Sequence, residues 1–217
     1  WDPAGNRTEM RKYNGGTLTE TTSYKKASQL NQMLGWTCGS TNALYTYDAN
    51  GNRDNKFITV DDETETTAYG YDEDNRLTSV TLRDTEQPKE YAFAYDYRTR
   101  RITRETPTEK TTHVFDGGLS VQEYDTSVST TLSVNNLTTE SIRGEGMGGG
   151  VGGMAYSVRN SQMEASHSNH RGDVTARTDN MGSISWFARY EAYGTRFDEA
   201  GATYDRQRGN TKDEEEP

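Results

Sequence analysis

The chain has 217 residues, a net charge of −10 and only 30% hydrophobic residues, with a mean hydropathy of −1.05. Such an acidic balance disfavours sequence-independent nucleic-acid binding, which needs clustered Lys and Arg. No apolar run is long enough for a membrane-spanning helix, and the single Cys38 excludes an intrachain disulfide. Low hydrophobicity with high charge borders on the composition of disordered chains. Against disorder stand 14 Tyr, abundant Thr and only 4 Pro, a strand-forming mixture, with Gly, Asn and Asp at turn-like intervals. A one-layer or hollow β-structure needs less aliphatic core than a solid globule, so the expected fold is all-β and antiparallel.

Taken in chain order, residues 1–104 are dominated by a repeat. Tyr45-x-Tyr47-Asp48 and Tyr69-x-Tyr71-Asp72 each place two rings on one face of a strand, and each runs into a turn signal, Asn50-Gly51 and Asp74-Asn75. The markers Trp1, Tyr24, Tyr47, Tyr71 and Tyr95 follow at intervals of 23, 23, 24 and 24 residues. Turn types alternate: Gly-Asn-Arg at 5–7 and at Gly51, Asn52 and Arg53, Ser-Gln-Leu at 28–30, Asn75-Arg76-Leu77, and a weakened Thr-Arg-Arg at 99–101. A fixed period of this length predicts an array of similar hairpins. In the second repeat Lys25 replaces Asp, and 27–35 could form a short helical turn. Asn14-Gly15 predicts a hairpin turn.

Residues 105–142 predict further hairpins: THVFDG at 112–117 followed by SVQEYD at 120–125, then a strand at 130–136, TTLSVNN. The stretch 143–154 holds seven glycines among twelve residues. It lacks the Lys-Ser/Thr pair of a phosphate-binding loop, so a loop or a close backbone crossing is expected there. Residues 155–165 predict a strand, 166–183 turns at Gly172 and Gly182, and 184–194 a strand ending at Gly194. The last twenty residues are polar and turn-rich.

The alternation of YxYDxxGNR with YxYDxxNRL resembles the YD repeat of Rhs proteins, Tc toxin C components and teneurins. RGEGMGGGVGGM at 143–154, HSNHRGDVTARTDNMGSISWFARYEAYGT at 167–195 and RQRGNTKDEEEP at 206–217 resemble the Rhs repeat-associated core. The resemblance divides the chain into YD repeats at 1–104, further β-hairpins at 105–142, a Gly-rich junction at 143–154 and an Rhs-core-like β segment at 155–217. It implies a curved or spiralling wall of a hollow YD-repeat shell that encapsulates and delivers a C-terminal toxin or effector. Its partners would be the remaining shell repeats and the enclosed polypeptide, or identical subunits, secreted or at a bacterial cell surface. The alternative is a recognition or adhesion module, or an assembling filament subunit. A start inside a repeat and an acidic end suggest a fragment of a longer protein.

No enzyme chemistry is expected. His167, His170 and Asp173 could contribute to a metal site only if another ligand arrived, and a hydrogen-bonded hairpin corner is the simpler reading. Arg171-Gly172-Asp173 spells an integrin-type tripeptide but falls on the repeat-associated turn. The arginines between 98 and 104 are expected on a solvated turn facing Glu105 and Glu109. Cys38 has no nearby His. No cofactor, metal or nucleic-acid partner is therefore expected. Asp48, Asp72 and Asp96 recur at one motif position, as turn formers do. Tyr45, Tyr47, Tyr69, Tyr71, Tyr91 and Tyr95 are expected to be packing residues.

Overall fold

The computed structural model describes residues 1–26, 31–83, 87–144, 153–191 and 195–203. Its described residues form strands and turns only, in two compact units, 1–108 and 109–217. Parts of the 27–35, Gly-rich, Gly194 and C-terminal expectations fall at 27–30, 145–152, 192–194 and 204–217, outside the described residues.

The first unit is a meander of nine strands: β1 (Glu9–Asn14), β2 (Thr17–Lys26), β3 (Met33–Cys38), β4 (Thr41–Tyr47), β5 (Arg53–Val60), β6 (Glu63–Tyr71), β7 (Leu77–Leu82), β8 (Lys89–Tyr95) and β9 (Arg101–Glu105). Each pairs antiparallel with the next. Alternation decides the faces. In β4 Ala43 and Tyr45 are buried while Leu44 and Thr46 are exposed; in β8 Tyr91 is buried while Ala92 and Ala94 are exposed. One 24-residue period therefore holds two strands and two unlike connections. On one edge stand five-residue Asp turns; on the other stand two-residue turns such as Asp61-Asp62, with φ of 48° and 70°, the double positive φ of a type I′ turn. A bulge interrupts pairing just before three of the five markers, between Thr46 and Tyr47, Gly70 and Tyr71, and Ala94 and Tyr95.

The second unit is an eight-strand meander: β10 (Lys110–Asp116), β11 (Leu119–Asp125), β12 (Leu137–Arg143), β13 (Met154–Arg159), β14 (Gln162–Ser168), β15 (Val174–Thr178), β16 (Ile184–Tyr190) and β17 (Arg196–Gly201). Again each strand pairs antiparallel with the next. Its apolar core is small: Val174, Trp186 and Ala188, with Tyr190 packed against them. Polar groups fill much of the remaining covered face, and several are paired there. Glu123 accepts from Arg159 at 2.9 Å, and Glu164 accepts from the Ser185 hydroxyl at 2.8 Å. The fully buried Arg177 donates to Ser166 Oγ at 2.8 Å. Buried polar groups persist when hydrogen-bonded, which is how so hydrophilic a chain covers a face.

Several expectations are corrected. The first hairpin turns at Gly15-Gly16, because Asn14 still pairs with Thr17. The 27–35 helical turn fails at its described end, where Met33, Leu34 and Gly35 belong to β3. TTLSVNN is a loop, not a strand: the Asn136 amide donates to the carbonyls of Asp125 and Thr131, both at 3.0 Å. The single strand at 155–165 is two, split by Asn160-Ser161 at positive φ. Part of the polar C-terminal stretch, Arg196–Gly201, is a strand.

Candidate functional site

Asp48 opens the first clear Asp turn. Its carbonyl accepts the Gly51 N–H at 3.1 Å and its own N–H donates to Asn52 O at 2.8 Å, a type I turn closed by a residue at positive φ, here Gly51 at 88°. One carboxylate oxygen accepts the N–H groups of Asn50 and Asn52 at 2.9 and 2.8 Å, and the other accepts the Asn52 amide at 3.0 Å. Asp72 repeats this around Asn75, which has a φ of 60°, with Arg76 Nε replacing the amide at 2.7 Å. Asp96 repeats it around Thr99, with Arg100 Nε at 2.7 Å. Asp2 builds the same frame with Asn6. In the second unit Asn169 and Asp179 cap equivalent turns around Gly172 and Gly182.

The carboxylates are held below their ordinary value. For Asp48 the Asn52 amide is the main cause; for Asp72 it is the Arg76 backbone N–H, followed by its side chain. Burial pushes Asp96 up, but the Arg100 side chain and the N–H groups of Arg100 and Arg98 together outweigh it.

Neighbouring turns are joined sideways, which motif reading did not foresee. The Asn6 amide donates to Asn31 Oδ1. Asn52 Nδ2 donates to Asn75 Oδ1 at 2.7 Å. Arg76 Nη1 donates to the Asp96 carbonyl at 3.3 Å. The signal was present as alternation: Asn closing one turn meets the positive-φ Asn of the next, and Arg closing that turn reaches a third. Two of the aromatic markers, and Tyr190 in the second unit, add a second tie. Tyr47, Tyr95 and Tyr190 donate their hydroxyls to the first carbonyl of the preceding strand, Met33, Leu77 and Val174, at 2.6, 2.9 and 2.9 Å. The repeat arginines cover rings: Arg53 lies 4.1 Å from the Tyr45 centroid and Arg76 5.3 Å from that of Tyr95.

Tyr45 and Tyr91 are buried; Tyr47, Tyr69, Tyr71 and Tyr95 are half-buried. Burial raises the Tyr71 hydroxyl pKa, helped by Tyr69. The arginine cluster splits: Arg98 is exposed on its turn as expected, but Arg104 is only 4% exposed, Arg101 stacks over Phe93 and Arg100 pairs with Asp96. The candidates for other chemistry disperse. His167 Nε2 lies 2.9 Å from Thr178 Oγ1. Asp173 is 2% exposed and held by Arg171, so the tripeptide acid does not project. Among the described residues no three His, Cys, Asp or Glu side chains form a metal-sized group, and no helix is long and apolar enough to cross a membrane.

No family model matches the chain. The tRNA3(Ser)-specific nuclease WapA of Bacillus spizizenii is 25% identical over 225 residues, taking in 96% of this chain and 8% of that protein. The chain thus spans under a tenth of the curated relative it matches. Among solved structures, a mutant Photorhabdus luminescens Tc holotoxin pore aligns over 94% of this chain and 13% of its own, with 14% identity and a TM-score of 0.46. The TcdB2-TccC3-Cdc42 crystal structure aligns over 94% and 17%, with 11% identity and a TM-score of 0.38. The chain is an antiparallel all-β protein with distant similarity to a bacterial nuclease and to Tc toxin proteins.

Proposed function

We propose that this chain is a wall segment of a YD-repeat shell of the Rhs and Tc type, which encloses a C-terminal toxin or effector polypeptide and delivers it. The observation that carries the reading is the row of Asp turns recurring along one edge of the first unit and tied sideways to one another. A wall must resist opening between strands. Here the ladders of the first unit are reinforced by turn-to-turn hydrogen bonds at Asn6–Asn31, Asn52–Asn75 and Arg76–Asp96, and the Tyr47 and Tyr95 hydroxyls cross to the preceding strand. The role is mechanical: no cofactor or catalytic group is called on, and the relevant partners are further repeats and the enclosed polypeptide. Similarity to WapA supports a toxin-associated setting, with the protein secreted or at a bacterial cell surface.

The test uses the full-length natural polypeptide. Limited proteolysis should spare its C-terminal segment while the repeats are folded and degrade it once they are denatured. Digestion of that segment at the same rate in both states would refute encapsulation. A polypeptide with no segment beyond the repeats would refute it too, and would leave an adhesion or filament role.

A further inference from the structure

The sequence holds two Asn-Gly pairs, Asn14-Gly15 and Asn50-Gly51. Asn is among the thermolabile residues, and a following glycine leaves the next backbone nitrogen sterically open. That nitrogen, losing its proton, attacks the side-chain Cγ and forms the C–N bond of a succinimide. The C–NH2 bond breaks and the nitrogen leaves as ammonia, taking up the proton. Water then cleaves one of the two imide C–N bonds, yielding Asp or isoAsp. Nothing beyond water is consumed. The reaction requires a glycine N–H free to ionise and a backbone able to bring it onto the side chain.

The two pairs differ on both requirements. At the tip of the first hairpin, Asn14 is exposed and the Gly15 N–H has no backbone acceptor among the described residues. A side chain added at Gly15 would meet no atom within 4 Å. In the Asp turn, by contrast, the Gly51 N–H is engaged by the Asp48 carbonyl at 3.1 Å. On either side of it, the N–H groups of Asn50 and Asn52 are both held by Asp48 Oδ1 at 2.9 and 2.8 Å. We propose that the Asp48 cap shields Asn50-Gly51 from deamidation, leaving Asn14 as the spontaneous modification site of the pair. An isoAsp adds a main-chain carbon: at position 14 it disturbs only the Asn14–Thr17 end of a hairpin, whereas at position 50 it would break the frame that carries the Asn52–Asn75 tie.

The experiment holds the folded protein in mildly alkaline buffer at body temperature and follows both sites by peptide mapping and mass spectrometry. Asn14 should convert at least about tenfold faster than Asn50, equivalent to about 1.4 kcal/mol in barrier height. In urea the two rates should converge. Asp48→Ala should bring Asn50 towards the Asn14 rate, with Asn14 as internal reference. Asp48→Asn, which keeps the cap that Asn169 provides in its own turn, should leave Asn50 protected. Equal rates in the folded wild type would overturn the proposal, as would an Asn50 rate that ignores Asp48→Ala. Should Asp48→Ala fail to fold, the folded-versus-urea comparison of the wild type decides alone.

Discussion

A double-mutant cycle across the Asn52–Asn75 tie isolates the sideways link between turns. Asn52→Ala removes two bonds, one to Asn75 Oδ1 at 2.7 Å and one to Asp48 Oδ2 at 3.0 Å. Asn75→Gly removes only the first, and glycine accepts the φ of 60° that alanine would resist. The added unfolded-state entropy of glycine and the loss of the Asp48 contact appear in single variants and cancel in the cycle. A neutral hydrogen bond contributes about 0.5–1.5 kcal/mol net. This pair is exposed, so the low end applies and the expected coupling is about 0.5–1 kcal/mol. Urea unfolding followed by hydrogen exchange in β4 and β5, the strands on either side of the Asp48 turn, reads the first unit. A coupling below about 0.3 kcal/mol, the additivity expected of independent sites, would refute the idea that the turns act as a connected row.

Other outcomes follow from the same geometry. Tyr95→Phe keeps the ring and loses the bond to the Leu77 carbonyl, so it should cost about 1 kcal/mol in urea unfolding; no change would show that the hydroxyl bond is matched by water. Trp186→Ala empties a site 1% exposed in the small second core and should cost about 3–5 kcal/mol, read as loss of hydrogen-exchange protection in β15 and β16 with β4 and β5 unaffected. The lowered carboxylates of Asp48, Asp72 and Asp96 make the unfolded chain the better proton binder. Their contribution should be complete above the ordinary value of 3.8 and vanish as pH falls through the lower folded values. The urea midpoint should therefore drop on acidification below that value, and a midpoint that rises would contradict the caps.

The repeat and its turns were legible because their chemistry is local. An Asp at the first turn position with Gly or Asn three residues on encodes the frame around Asp48 and Asp72 without tertiary information. The Asn52–Asn75 tie spans 23 residues and depends on strand register, which motif spacing does not report. TTLSVNN has strand propensity, but the Asn136 amide folds it into a loop, a case of side-chain hydrogen bonding competing with a ladder. The Asn160-Ser161 turn was missed for want of a glycine, since Ser161 sits at a φ of 64° that its residue type rarely adopts. Arg104 was expected in water from its charge, yet its strand turns it to the covered face.

The most direct measurement of the central claim is a cryo-EM reconstruction of the full-length natural polypeptide. The expected result is that the strands of each unit lie in the wall of an enclosed volume, with the Asp turns of the first unit in a connected row and density for a C-terminal segment on the enclosed side. A reconstruction in which both faces of these strands meet bulk solvent, with no enclosed volume, would contradict it.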